Sequence, residues 1–195
     1  MRIITVFAVV TLAMQLPALA SVSLAHDEPA MARFDSGAVA FDVPSSLLVT
    51  TTTVDSPEGP VDVITVFPHD PVNGSRIGAT FMSFSVYHAI PVLPDVEGVA
   101  SADDVRDMVL SSIATTLGQR RVGHAEELEF DLGTQRIDGL RLTWRIRGAS
   151  AEVSAGAIRD GDRTLVFYYQ RVTADAAWFD DFHTLTRTLA FGGGS

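Results

Sequence analysis

After Phe34 most of the chain consists of short runs of alternating apolar and polar residues, broken by Gly, Pro, Asn and Asp. Such runs predict strands, because successive strand side chains point to opposite faces. Residues 38–43 form the first, stopped at Pro44. Residues 47–54 are β-branched and stop at Ser56-Pro57-Glu58-Gly59-Pro60; residues 61–67 and 76–88 follow. The run 76–88 carries Phe81, Met82, Phe84 and Val86, apolar on both faces, which predicts a strand covered from both sides.

The second half predicts a meander. Residues 126–137 turn at Asp138-Gly139 into 140–147. That run turns near Ala149-Ser150 into 151–159, and Asp160-Gly161 turns it again into 164–171. Asp-Gly between apolar runs is a hairpin signal, since Gly accepts positive φ and Asp tolerates it. The continuous run Leu165 to Tyr169 predicts a strand buried on both faces, with the two tyrosines packing rather than binding.

Two stretches have helical spacing. Over 101–118, Ser101 and Asp104 resemble a capping box, and Val105, Met108, Val109, Ser112, Ile113, Thr116 and Leu117 form one stripe that Gly118 ends. Over 174–190 the buried positions are Trp178, Phe182, Leu185 and Leu189. Together the elements predict a single α+β domain over residues 34–191: an antiparallel β-sheet with a helix on each side, an α/β/α sandwich. Residues 21–33 are a loose tail, and 192–195, Gly-Gly-Gly-Ser, a flexible end.

The N-terminus changes the setting. Arg2 precedes twelve apolar residues, 3–14, too short for a membrane span and right for a signal peptide. Ala18-Leu19-Ala20 supplies a cleavage site, giving a signal peptide over 1–20; Ser23-Leu24-Ala25 is a second candidate. The expected location is periplasmic or secreted, with no membrane anchor after cleavage. The 195 residues contain no cysteine, so the chain has neither a lipobox nor a disulfide framework. Losing Arg2 leaves 13 basic against 24 acidic side chains, a net charge of −11, which argues against binding phosphate backbones. Every basic residue is Arg, the bias of a GC-rich bacterial genome.

The order of elements resembles the PsbP-like and DcrB-like proteins. The residues that carry the resemblance are Phe41-Asp42-Val43-Pro44, then Gly139, Gly156 and Gly161, then Tyr168-Tyr169, and the segment from Trp178 to Phe191. The resemblance implies an α/β/α sandwich and a mostly non-enzymatic role as an accessory, envelope or chaperone-like factor. It implies partner binding and supplies no catalytic residues.

Nucleophile-elbow, Walker and zincin motifs are absent, and no catalytic residue or cofactor is assigned. The histidines are scattered. His26 would chelate copper through its amine and imidazole only if cleavage followed Ala25, so no metal is expected. Charge gives the first candidate surface. With Leu140, Leu142, Trp144 and Ile146 inward, Arg141, Thr143, Arg145 and Arg147 share the other face. A bulge at Gly133 would set Asp131 opposite Arg145 and Glu129 opposite Arg147. The face is either a set of solvated ion pairs or an arginine platform for an acidic partner. A second candidate is the loop Ala89 to Pro94, whose Ile90, Val92 and Leu93 either tuck inward or form an apolar patch. The leading expectation is an exported, non-catalytic binding or accessory protein with a protein partner in the bacterial envelope. The alternatives are a small-ligand or copper-binding protein and a hydrolase without a recognisable motif.

Overall fold

The computed structural model describes residues 31–56, 59–88, 125–146, 148–160 and 163–191. They form two antiparallel sheets. The larger has seven strands: β3 (Leu47–Ser56), β4 (Gly59–Pro68), β5 (Phe81–Tyr87), β6 (Ala125–Leu132), β7 (Gln135–Ile146), β8 (Ala149–Asp160) and β9 (Arg163–Val172). Their spatial order is β3-β4-β5-β9-β8-β7-β6, so the meander joins the first hairpins through β5 and β9. The smaller sheet has β2 (Val39–Pro44) between β1 (Met31–Asp35) and β10 (Ala190–Phe191). After β9 the chain makes a 3-10 turn over Thr173–Trp178 and then one α-helix, α1 (Phe179–Thr188).

The alternating pattern sorts the core into two faces. On one, Ile64, Val66, Phe84, Ile137, Ile158, Leu165 and Phe167 meet Val39 and Phe41 of the small sheet and Phe182, Leu185 and Leu189 of the helical segment. On the other, Val61, Val63, Phe81, Leu142, Trp144, Val153 and Tyr168 form a second buried cluster, drawn entirely from the large sheet and the loop before β5. β5 is buried along its whole length and β9 along most of it, as runs apolar on both faces require. Trp144 and Tyr168 are both buried, so the inward assignment of Leu140, Leu142 and Trp144 holds.

The α/β/α sandwich does not. Among the described residues the fold is two antiparallel sheets with one short α-helix. The stretch 101–118 lies outside the described residues. The helix expected over 174–190 is shorter because non-helical Asp175 (φ −105°, ψ 24°) confines the first turns to 3-10 geometry. Leu189 is extended (φ −61°, ψ 128°), and Ala190 and Phe191 then pair with Ala40 and Val39 of β2. The expected tail also contributes a strand, since Met31 pairs with Pro44 and Asp35 with Ala40. This small sheet supplies part of the layer that a helix was expected to fill.

The meander turns differ as well. Leu132 pairs with Gln135, so β6 and β7 are joined by Gly133-Thr134 and not by Asp138-Gly139. Gly133 has φ +60° and donates its N–H to Thr186 O at 2.8 Å. A Cβ there would stand 1.8 Å from Leu189 O, so the glycine expected as a bulge is the turn itself. Gly139 lies mid-strand, opposite Gly156, with the Phe130 ring over both. Ile146 pairs with Ala149, so β8 already begins at Ala149, where a turn was expected. Asp160 pairs with Arg163, so the third hairpin stands where Asp160-Gly161 placed it. The run 76–88 yields a strand only over Phe81–Tyr87; Arg76 makes an isolated bridge to His69 instead.

One buried carboxylate ties the two halves together. Asp175 accepts hydrogen bonds from Ala79 N at 2.8 Å and Thr80 N at 2.7 Å. Thr80 Oγ1 accepts from Val172 N, and Gln170 Nε2 donates to Ala79 O. The loop before β5 is thereby fixed to the chain leaving β9, which sets where α1 begins.

Candidate functional site

Register decides which charged residues meet. Glu126 pairs with Arg141, Arg141 with Ser154 and Ser154 with Tyr169, which makes one row across β6, β7, β8 and β9. In the next row Thr143 pairs with Glu152 and Glu152 with Arg171. Both rows are on the sheet face that carries α1. Beyond the packed part of the helix they open into a cleft of about 280 Å³.

Aromatic rings form the cleft's walls. Phe130 and Phe167 lie 5.4 Å apart between ring centroids, and Tyr169 and Phe182 5.2 Å apart. Phe179, Phe182, His183 and Thr186 present one side of α1, as the i, i+3, i+4 spacing dictates. At the floor, Arg171 binds Glu152 at 2.7 Å and its guanidinium lies 5.1 Å from the Phe179 ring centroid. Arg141 Nε faces the same Glu152 oxygen at 3.6 Å, beyond hydrogen-bond reach. That nitrogen is buried and has no hydrogen-bond partner among the described residues. Burial holds the Tyr169 phenol well above its ordinary range, against the attraction of Arg171 and with the repulsion of Glu152, so it stays neutral and able to donate. The cleft thus presents two guanidiniums converging on one carboxylate, a neutral phenol and an apolar wall. Such a set is chemically suited to an anionic group carried on an apolar stem.

Arg141 and Arg145 do share a face, but their expected partners are elsewhere. Glu129 pairs with Asp138 and Asp131 with Arg136, because the β6–β7 turn lies at Gly133-Thr134. Glu129 instead makes an ion pair with Arg136 at 3.0 Å. Arg145 is exposed and paired with Ser150 at the rim. Arg147, Ile90, Val92, Leu93 and His26 lie outside the described residues. The sequence reading missed Glu152, Tyr169, Arg171 and Phe179. Tyr169 and Arg171 are two apart on one strand, and the pairings of Leu132 with Gln135 and of Ile146 with Ala149 would have aligned them with Arg141. His183 is exposed at the cleft margin.

A second polar group sits towards the β3 edge. His88 Nε2 and Asp62 Oδ2 are 2.7 Å apart, and Thr53 Oγ1 donates to Asp62 Oδ1 at 2.7 Å. Burial raises the Asp62 pKa, but the Thr53 and His88 hydrogen bonds and the His88 charge outweigh it and hold the carboxyl below its ordinary value. The Asp62 oxygens are engaged within the protein, and no group of three His, Asp or Glu that could hold a metal occurs among the described residues. This group is weaker as a site than the cleft.

No protein-family model matches the chain, and no curated protein matches it. Solved structures similar to it include a protein of Bacteroides thetaiotaomicron VPI-5482, 10% identical with a TM-score of 0.43. That alignment covers 82% of this chain and 47% of the other, so this chain spans about half its length. Cyanobacterial PsbP (CyanoP) from Synechocystis sp. PCC 6803 is 12% identical with a TM-score of 0.43, covering 91% of this chain and 99% of that one. The PsbP likeness read from the sequence is met at this level of structural similarity and no closer.

Proposed function

We propose that the chain is an exported, non-catalytic binding protein that acts through a protein partner, one of whose acidic side chains enters the cleft between α1 and the β6–β9 end of the large sheet. The carrying observation is Arg141 Nε, buried at the cleft without a hydrogen bond and 3.6 Å from a carboxylate that Arg171 already holds at 2.7 Å. The Arg141 side chain as a whole is 43% exposed, so the outer end of its guanidinium is open to a charge-assisted bond with an incoming carboxylate. The phenyl rings of Phe130, Phe167 and Phe179 line the path of the methylene stem of a Glu or Asp. Arg145 at the rim adds positive field to an otherwise acidic protein and would steer acidic segments towards the cleft.

The test is capture of a partner from the native envelope by wild type and by Arg141→Glu, at low and high salt, with identification by mass spectrometry. The reading expects a protein held by wild type at low salt, weakened by salt and lost with Arg141→Glu. Equal recovery of that protein by both baits at both salts would refute it.

A further inference from the structure

The two edges of the large sheet are protected differently. β6, at one end, carries Glu126, Glu127, Glu129 and Asp131 among eight residues, a charge density that repels a further strand. β3, at the other end, is a ten-residue strand, LLVTTTTVDS, with Asp55 as its only charge and no proline. Among the described residues nothing pairs with its outer edge. Thr51 and Thr53 are exposed, and Val49, Thr50, Thr52 and Val54 are half-buried. A long, neutral, β-branched edge is a template for strand addition.

We infer that β3 is a dimerisation edge, which pairs antiparallel with β3 of a second copy about a two-fold axis at Thr51. The symmetry restricts the register to pairings centred on one residue, and Thr51 lies at the middle of the strand. A two-fold axis normal to the sheet keeps equivalent faces on the same side, so odd residues must oppose odd ones and a residue on the axis opposes itself. Centred on Thr51, Thr50 faces Thr52, Val49 faces Thr53 and Leu48 faces Val54 of the second copy. Asp55 meets Leu47, so no two charges oppose each other. Threonine–threonine and aliphatic pairs are favourable cross-strand neighbours. The occupant is a second copy because the strand is self-complementary about Thr51 and sets no charge opposite a like charge. The cleft is at the opposite end of the sheet, so this interface rests on none of the functional reading and leaves that site open in the dimer.

The absence of cysteine makes the register directly testable. In an antiparallel pair opposing Cα atoms are about 4.5–5.5 Å apart, within the ~4.4–6.8 Å that a disulfide spans. Sedimentation of the full chain should show a dimer. Thr51→Cys should cross-link to a covalent dimer on oxidation, and Glu127→Cys on the charged edge should stay largely monomeric. Thr51→Glu, which sets two carboxylates face to face, should weaken self-association on the order of 100-fold with an unchanged circular-dichroism spectrum. A wild type that sediments as a monomer at 100 µM overturns the inference. So does a Thr51→Cys chain that cross-links no faster than Glu127→Cys, or a Thr51→Glu dimer as tight as wild type.

Discussion

Replacing Asp175 probes the joint on which the cleft's geometry depends. Its Oδ2 accepts from Ala79 N and Thr80 N at 2.8 and 2.7 Å, and Thr80 is completely buried. Asp175→Ala leaves both amides without that acceptor. Each orphaned buried N–H costs about 1–3 kcal/mol, and bonds to a charged acceptor lie towards the upper end, so the substitution should cost about 3–5 kcal/mol. Asp175→Asn keeps a carbonyl oxygen in the same place but loses the charge assistance and the attraction of the largely buried Arg76, so its cost should be about 1–2 kcal/mol, below that of the alanine variant. Urea unfolding followed by tryptophan fluorescence measures both. For a domain of this size the alanine variant should also melt roughly 10 °C lower, at about 2–4 °C per kcal/mol. An alanine variant within 1 kcal/mol of wild type would refute the argument, as would an asparagine variant equally destabilised.

Gly139→Ala should cost about 1–3 kcal/mol or more, because the new Cβ would stand 2.3 Å from Ala155 O and 2.4 Å from the Phe130 ring; a urea-derived cost under 0.5 kcal/mol would show that the strands have room. Asp62, with its folded pKa held below 3.8, stabilises the fold above its unfolded pKa of about 3.9 and loses that contribution as pH falls through the folded value. The stability gap between wild type and Asp62→Asn should therefore narrow below about pH 4, and a gap constant from pH 6 to pH 3 would contradict this. N-terminal sequencing of exported protein should begin at Ser21, and an intact Met1 in the membrane fraction would contradict cleavage.

Strand periodicity was legible because it reports burial on two faces. The positions of β2, β3, β4, β8 and β9 follow from it, and so does the inward Trp144. Turn placement was not legible, because Asp138-Gly139 and Gly133-Thr134 are both acceptable turns locally. What selects between them is tertiary: the Phe130 ring lies over Gly139 and Gly156, while Gly133 needs its positive φ against the Leu189 carbonyl. That choice sets every pairing on β6, which is why Glu129 and Asp131 were assigned the wrong partners. β1 and β10 were missed for another reason: two- and five-residue strands carry too little alternation to register, and their pairing depends on β2 lying between them. Arg141 and Arg145 do share one face, which needs only the period of one strand. The cleft that Arg141 lines also takes Glu152 and Arg171 from two other strands, which no local pattern connects.

The central claim is that the cleft, and not the overall charge, selects the partner. The direct measurement is the affinity of the captured partner for wild type, Arg141→Glu and Arg187→Glu at physiological salt. Arg187 is an exposed arginine in the last turn of α1 and does not line the cleft, so both substitutions change net charge equally. The account predicts at least a tenfold loss, about 1.4 kcal/mol, for Arg141→Glu and a change within about twofold for Arg187→Glu. Equal losses for the two variants would contradict it.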